Sequence, residues 1–121
     1  MHNLKELKVW QKSRLLIKEI YWLVKKFPIE EKYGLINQIQ RSAISISSNI
    51  AEGSGRNSEI DFNRFLDIAY GSACELETQI ILAFDIGYIN ESSMNKILEI
   101  ISEIHKMLFV FKEKLQKKQV S

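Results

Sequence analysis

The nine residues Ser48–Arg56 contain two glycines, two serines and an arginine, the residue types that bind phosphate. A Walker-type phosphate loop needs a preceding strand, a GxxxxGK[ST] spacing and a lysine, and a dinucleotide loop needs GxGxxG between a strand and a helix. Neither pattern is present. We therefore interpret this stretch as the end of a helix, with Gly53 as a left-handed residue after its last turn and Gly55 in the turn that follows.

The histidines, the cysteine and the neighbouring acids do not combine into a catalytic set. A di-iron helix bundle needs Glu-x-x-His on each of two helices, but the third residue before His105 is a serine. His2 lies near the chain end, and Cys74 has no histidine partner that the sequence can place. Glu75 and Glu77 are two residues apart and point to different faces of a helix. We expect no enzyme activity, no metal and no cofactor.

Cations surround one aromatic side chain near the start of the chain. Trp22 is flanked at helical spacing by Lys18, Lys25 and Lys26, and Arg14 lies one turn before Lys18. Such a ring can stack on a nucleic-acid base, pack at a subunit interface, or simply be covered by the lysine stems. The predicted nucleic-acid contacts, to RNA or DNA, are Arg14, Lys18, Lys25, Lys26, Arg41 and Arg56.

The formal net charge of +2 is unevenly distributed along the chain. Residues 1–32 contain eight basic and four acidic residues, whereas residues 58–88 contain six acidic residues and one basic residue. These charges could form a bipolar surface or could pair within the fold. The candidate partners of Arg41 and Arg56 within the fold are Glu52, Glu75 and Glu77.

Length and composition limit the class of protein. A chain of 121 residues, 45% hydrophobic and 26% charged, is long enough for one domain with its own core, so residues 1–121 are assigned to a single domain. A lone cysteine cannot form an intramolecular disulfide, and the first residues lack the apolar core of a secretory signal, so we expect a cytoplasmic protein. No apolar run could span a bilayer, and no membrane role is expected.

Four amphipathic helices account for most apolar residues, which recur at alternating steps of three and four. Pro28 ends the first helix, while Ser58 and Asn90 are expected to cap the third and the fourth. The predicted helices span approximately residues 5–27, 33–52, 58–88 and 91–118. Four such helices with short connections predict an all-α, antiparallel up-down four-helix bundle.

Apolar residues outside the predicted core indicate self-association. The core stripe of the first helix is predicted to contain Trp10, Ser13, Ile17, Ile20, Val24 and Phe27. Leu15 and Trp22 lie on the opposite side of that helix, and residues 107–111 are apolar all round, which a surface helix of a monomer should not be. We expect a homo-oligomer, unless long loops or chain ends cover these faces. The predicted interface residues are Leu15, Trp22, Ile81, Phe109 and Val110.

Small residues in register on the second and third helices are predicted to let the two backbones approach closely. Asn49 is predicted to be partly buried and to anchor the end of the second helix by hydrogen bonds, because an unpaired buried amide is costly. The residues assigned to this structural motif are Asn49, Glu52, Gly53, Gly55 and Gly71.

Two ordered sets of residues carry a family resemblance. The first set contains Pro28, Glu31, Tyr33-Gly34-Leu35, Gln38-Ile39, Arg41, Ser45-Ile46, Asn49-Ile50-Ala51-Glu52-Gly53 and Gly55-Arg56. The second set contains Phe65-Leu66, Ala69, Gly71-Ser72, Glu75-Leu76-Glu77-Thr78 and Gly87-Tyr88-Ile89. Together they resemble the bacterial four-helix-bundle family named for the protein encoded in intervening sequences of 23S rRNA genes, over about residues 4 to 117.

The resemblance implies more than a fold. The family includes the accessory variability determinant protein of diversity-generating retroelements, a basic, barrel-shaped homopentamer that binds nucleic acid and a reverse transcriptase. By this resemblance we expect a homopentamer, a nucleic-acid partner, and a protein partner such as a reverse transcriptase. The chain departs from the family where Gln40-Arg41 replaces a frequent Arg-Arg pair, which removes one cation, and where Ser47 replaces a frequent proline.

Overall fold

A computed structural model describes residues 2–120 of the chain, with side chains through residue 118. Within those residues the secondary structure is entirely helical. Four long helices follow one another: α1 (Lys8–Val24), α2 (Leu35–Ser54), α3 (Glu59–Ile86) and α4 (Glu91–Val120). Two short 3-10 helices, Leu4–Glu6 and Ile29–Glu31, precede α1 and α2. The structure therefore confirms the all-α class.

The four helices form a bundle around one apolar core. Each helix contacts its neighbours in the order α1, α2, α3, α4, and α4 returns to contact α1, whereas the described parts of the diagonal pairs make no contact. The α1/α4 side therefore lies opposite the α2/α3 side. In α3, the apolar residues that alternate by three and four are all buried, because this spacing keeps them on one face: Phe62, Leu66, Ala69, Ala73, Leu76, Ile80 and Ala83.

The core stripe of α1 differs from the predicted one. Ser13, Ile20, Val24 and Phe27 are buried as expected, but Trp10 and Ile17 are only half-buried. The buried positions that complete the face are Val9, Leu16 and Leu23. The buried face is therefore turned by about one residue from the predicted one, and Trp10 and Ile17 pack against the core from its edge.

The predicted role of Gly53 was wrong. Gly53 is a buried residue inside α2, which continues to Ser54, and the single glycine with a positive φ in the described chain is Gly87, at 95°. A Cβ on Gly53 would lie 2.7 Å from Cδ1 of Phe62 and 2.8 Å from Cβ of Phe65. Gly53 is therefore required by the close approach of α3, and not by a left-handed turn. Gly55 caps α2 with a φ of −88°.

Polar side chains fix the ends of the helices. Ser58 Oγ accepts a hydrogen bond from the Asp61 amide at 3.1 Å, and Asn90 Oδ1 accepts one from the Ser93 amide at 2.8 Å. These contacts satisfy amide groups that have no partner within the helix. Gly87 ends α3 in the left-handed region that favours glycine.

Candidate nucleic-acid interface

The outer side of α1 and the turn that follows it hold four of the six predicted cations, a surface called the α1 face below. Arg14, Lys18, Lys25 and Lys26 are all exposed, because the buried face of α1 points to the opposite side. Lys18 and Lys26 make no ion pair or hydrogen bond with any described residue. These two ammonium groups are therefore free to contact an anion.

Two aromatic rings lie among these cations. Trp22 is 61% exposed and Tyr21 is 41% exposed. The Lys25 ammonium lies 4.2 Å from the centroid of the Trp22 ring, a cation–π contact, and the Arg14 guanidinium lies 5.2 Å from the half-buried Trp10 ring. Cations interleaved with exposed rings are the arrangement that binds unpaired nucleic acid, since bases stack on the rings while phosphates meet the cations.

Tyr21 was missing from the sequence prediction. It lines a shallow groove of about 390 Å³ together with Arg14, Ile17 and Lys18. Its position four residues before Lys25 and three after Lys18 places it on the same helical face, and that spacing was a signal that could have found it. The groove has an apolar floor and a cationic edge.

The structure places Arg41 elsewhere, in a polar cleft of about 300 Å³ between α2 and α3. Its side chain is exposed and forms no ion pair with a described residue, although Glu75 lines the same cleft. The other lining residues are Gln38, Ser42, Ser45 and Ser72. Arg41 therefore does not share the outer surface of α1, and its nucleic-acid role stays a prediction.

Arg56 is engaged within the fold. Its guanidinium donates to Glu52 Oε1 at 3.1 Å and lies 4.6 Å from the centroid of the Phe65 ring. The sequence had offered Glu52 as one of its possible partners. Arg56 therefore ties the turn between α2 and α3 to both helices, which makes it a structural residue in addition to a predicted nucleic-acid contact.

The five predicted interface residues are all exposed. Leu15 and Trp22 lie on α1, Ile81 lies on α3, and Phe109 and Val110 lie on α4. Phe109 is 57% exposed and Val110 is 50% exposed, so the apolar surplus that the sequence indicated does reach the surface. Their role in assembly stays a prediction.

A polar bridge joins α2 to α3. Ser45 Oγ and Ser72 Oγ lie 2.7 Å apart, and the Asn49 amide donates to Ser45 Oγ at 3.0 Å and to the Ser45 carbonyl at 2.8 Å. Asn49 is half-buried, as its prediction required. Gly71 lies nearby on α3 but is exposed, with open space around it. Close approach of the helices therefore depends on Gly53 and the serines, not on Gly71.

A second polar joint links the loops at one end of the bundle. Its two residues are 57 positions apart in the sequence, so no local pattern pairs them. The Tyr88 hydroxyl donates to Glu31 Oε2 at 2.7 Å, and Glu31 Oε1 accepts from the Leu35 amide at 3.1 Å. These two hydrogen bonds lower the pKa of the Glu31 carboxyl. The same bond from Tyr88 to Glu31 raises the pKa of the Tyr88 hydroxyl.

Cys74 has a histidine neighbour on α4, contrary to the expectation that it has none. Its sulfur lies 3.6 Å from Nε2 of His105, and the His105 ring packs on Tyr70 at 4.5 Å between centroids. The two helices meet so that residue 74 of α3 faces residue 105 of α4, and no local spacing in the sequence encodes that match. Among the residues that the structure describes, no group of histidines, cysteines and acids could hold a metal ion.

None of the helices, over the part of the chain described, is both long enough and apolar enough to cross a membrane.

Comparisons with known proteins agree on one family. The family model described as 23S rRNA-intervening sequence protein matches residues 5–110. A similar solved structure is that of a protein with unknown function from the S23 ribosomal protein family of Bacteroides thetaiotaomicron VPI-5482. It has 32% sequence identity and a TM-score of 0.80, and the match covers 86% of this chain and 97% of that one. No protein of curated function matches the chain.

Proposed function

The chain belongs to the 23S rRNA-intervening sequence protein family, and on that premise we propose that it is a non-enzymatic, homo-oligomeric scaffold of the cytoplasm that binds nucleic acid. The bound species is RNA or DNA with unpaired bases. The scaffold is an antiparallel up-down four-helix bundle. In support of that arrangement, Lys12 of α1 pairs with Glu103 of α4, while Glu19, further along α1, pairs with the earlier residue Lys96.

The outer face of α1 is the observation that carries the nucleic-acid role. Lys18 and Lys26 are free, and the exposed Trp22 and Tyr21 rings lie between cations. A base pair inside a duplex cannot offer its flat face to such rings, whereas an unpaired base can. The face therefore favours single strands, loops and bulges over uninterrupted duplex.

A homo-oligomer presents several copies of the α1 face. Exposed apolar residues occur on all four helices, among them Leu15, Ile44, Ile81 and Val110. Burying them between subunits would remove apolar area from water, which is the main driving force of association. Five copies, the number implied by the family resemblance, would present five α1 faces, and linked weak contacts to one strand would then add up to tight binding.

The test is a binding titration with a labelled single-stranded RNA and with duplex DNA, from low to physiological salt, with the mass of the protein measured in the same buffers. Each cation–phosphate contact releases a counterion, so the affinity must fall steeply as the salt concentration rises. Reversing three charges, K18E/K25E/K26E, should weaken binding at least about 10-fold at low salt. The mass should not change.

A matched control reverses the same number of charges outside the α1 face, with K5E/K32E/K117E. All three of these lysines are exposed. If this control weakens RNA binding as much as K18E/K25E/K26E does, the binding is unspecific attraction to net charge. If the wild-type protein binds neither probe at low salt, the nucleic-acid role is wrong.

A protein-interaction scaffold is the second candidate, favoured by the exposure of Phe109 and Val110 on α4. In that case the cations are solvated, and the functional surface is apolar and serves a protein partner such as a reverse transcriptase. Charge reversal on α1 would then change neither the mass nor the partner binding, whereas F109A/V110A would weaken the partner complex.

A further inference from the structure

We propose that copies of this chain join head to tail, with a basic groove between α1 and α4 of one copy receiving an acidic outer face of α3 from the next copy. This inference rests on the homo-oligomer in the proposed function and assigns the two surfaces that form its interface. Neither surface overlaps the Arg14–Lys18–Tyr21 groove.

The basic groove lies between the start of α1 and the second half of α4 and has a volume of about 450 Å³. Its floor is apolar and includes Met107, Val110 and Phe111, while Lys8, Lys106 and Lys114 stand at its rim. None of the three lysines forms an ion pair or a hydrogen bond with a described residue. A rim of three lysines around an apolar floor is complementary to a surface that is both acidic and apolar.

The acidic face of α3 consists of Glu75, Leu82, Asp85 and Ile86. All four residues are exposed, with Leu82 45% and Ile86 57% accessible. Residues 75, 82 and 86 follow one another by seven and four, which keeps them on one side of the helix, and residue 85 lies next to them. Glu75 also lines the α2/α3 cleft that contains Arg41, but within the part of the chain described neither Glu75 nor Asp85 forms an ion pair or a hydrogen bond through its carboxylate.

The two surfaces have opposite charges at similar separations along their helices. Lys106 and Lys114 flank Val110, with about 12 Å between the two lysine positions along the helix axis. Glu75 lies about 10 Å before Leu82 along the axis of α3 and Asp85 about 5 Å after it, differences from the lysine spacing that the long lysine side chains can span. One copy can therefore place Leu82 on the apolar floor while its two carboxylates meet the two lysines of the neighbour. Elsewhere on α3, Asp61 and Asp67 are already paired with Arg64 and Lys112 of their own chain.

The position of the surfaces decides the type of assembly. The basic groove lies on the α1/α4 side, whereas the acidic face lies on α3, which does not contact α1 in the described chain. A copy that uses its groove on one neighbour therefore still presents its acidic face to another. Such a heterologous interface joins each copy to the next, and it generates a ring if the rotation between copies closes, or an open filament if it does not.

The first test reverses the charges and measures the mass of the intact protein by light scattering. K106E/K114E and E75K/D85K should each raise the dissociation concentration of the oligomer by about 100-fold, because each sets like charges against each other in the interface. The quadruple variant K106E/K114E/E75K/D85K should restore the wild-type mass. K18E/K25E is the control, with the same charge change on α1, and should leave the mass unchanged. Circular dichroism verifies the fold of each variant.

The second test detects the contact directly. In a C74S background, which removes the exposed native thiol, L82C protein and V110C protein are oxidised separately and then as a mixture. A heterologous contact predicts an intermolecular disulfide only in the mixture, because residue 82 of one copy faces residue 110 of the next. A disulfide in either protein alone would overturn the head-to-tail arrangement.

The outcomes separate this inference from the proposed function. If the wild-type protein is an oligomer but charge reversal leaves its mass unchanged, or the mixture forms no disulfide, this interface is wrong and the oligomer stands. If the wild-type protein is a monomer at every concentration, both the interface and the oligomer are wrong. RNA binding by K18E/K25E/K26E tests the nucleic-acid role separately, whatever the result for the interface.

Discussion

The α2/α3 side and the α1/α4 side of this bundle are held together in different ways. Between α2 and α3, the buried Gly53 lets Phe62 and Phe65 approach its Cα, and Ser45 shares a hydrogen bond with Ser72. Between α1 and α4, the visible polar links are lysine–carboxylate pairs at the surface, such as Lys12 with Glu103 at 2.5 Å. The α2/α3 side leaves a polar cleft of about 300 Å³, whereas the α1/α4 side leaves an apolar groove of about 450 Å³.

The residues of the family resemblance and the residues of the candidate function lie on different parts of the bundle. Residues that carried the resemblance, such as Glu31, Gly53, Ser72 and Tyr88, form joints of the fold. The free cations and exposed rings lie mainly on α1 and α4. A sequence can therefore keep the family's framework while its outer surfaces serve different partners. Four substitutions test this difference between the two sides of the bundle.

Replacing Gly53 with alanine should have the largest effect on stability. The new Cβ would lie within 3 Å of two phenylalanine atoms, one of them a Cβ next to the backbone of α3. Overpacking of this kind costs about 2 kcal/mol of unfolding free energy. Gly71→Ala is the matched control, because its Cβ meets no atom within 4 Å, and it should stabilise the helix by about 0.5 to 1 kcal/mol. Urea unfolding measures both; equal effects would contradict the close approach at Gly53.

Replacing Asn49 with alanine should cost about 1 kcal/mol, the usual net value of a hydrogen-bonded polar group. The change removes both hydrogen bonds from its amide to Ser45. The control is Asn95→Ala, an exposed amide on α4. An unchanged melting curve for N49A would show that the bridge between α2 and α3 does not depend on Asn49.

Replacing Tyr88 with phenylalanine tests the joint to Glu31 through its pH dependence. The pKa of the Glu31 carboxyl is lowered in the folded state, so its stabilisation is present above about pH 5 and is lost as the pH falls through the folded-state value. The pKa of Tyr88 is raised, so its contribution is present below about pH 9 and is lost as the pH rises through the folded-state value. The difference in melting temperature between wild type and Y88F should therefore be largest between those limits.

Tyr33→Phe provides the control for that profile. The Tyr33 side chain is 85% exposed, and its hydroxyl has no described partner. Y33F should follow the wild-type pH profile, so a gap that is independent of pH for both variants would contradict the Glu31–Tyr88 joint.

Neutralising Glu103 should have the smallest effect. Its partner Lys12 lies on the α1/α4 side, and Glu103 itself is about half exposed. Surface ion pairs contribute little, so Glu103→Gln should change the unfolding free energy by less than about 0.5 kcal/mol, and less at high salt. Glu99→Gln, an exposed acid with no described partner, is the control. A large loss for E103Q alone would erase the contrast between the two sides of the bundle.

The helices could be predicted from the sequence because their apolar residues recur at alternating steps of three and four. This spacing is most regular in α3. Ser58 and Asn90 also act as predicted, since a capping side chain works within its own turn. Both signals are local, and a single sequence contains them in full.

Contacts between helices could not be predicted in the same way. Gly53 looked like a turn residue because its neighbours in sequence are glycine and serine, while its real constraint is Phe62 on the next helix. Cys74 and His105 lie 31 residues apart and meet only after α3 and α4 pack. The basic groove is likewise built from residues near position 8 and near position 110. Such pairings depend on the packing register, which no local pattern fixes.

The fluorescence of Trp22 can show directly whether the α1 face binds unpaired nucleic acid. In a W10F variant Trp22 is the only tryptophan, so its emission reports on this face alone. Titration with a single-stranded RNA at low salt should quench Trp22, because a base stacks on the ring, and added salt should reverse the quenching. RNA binding that leaves the Trp22 emission unchanged, or quenching that salt does not reverse, would contradict the claim.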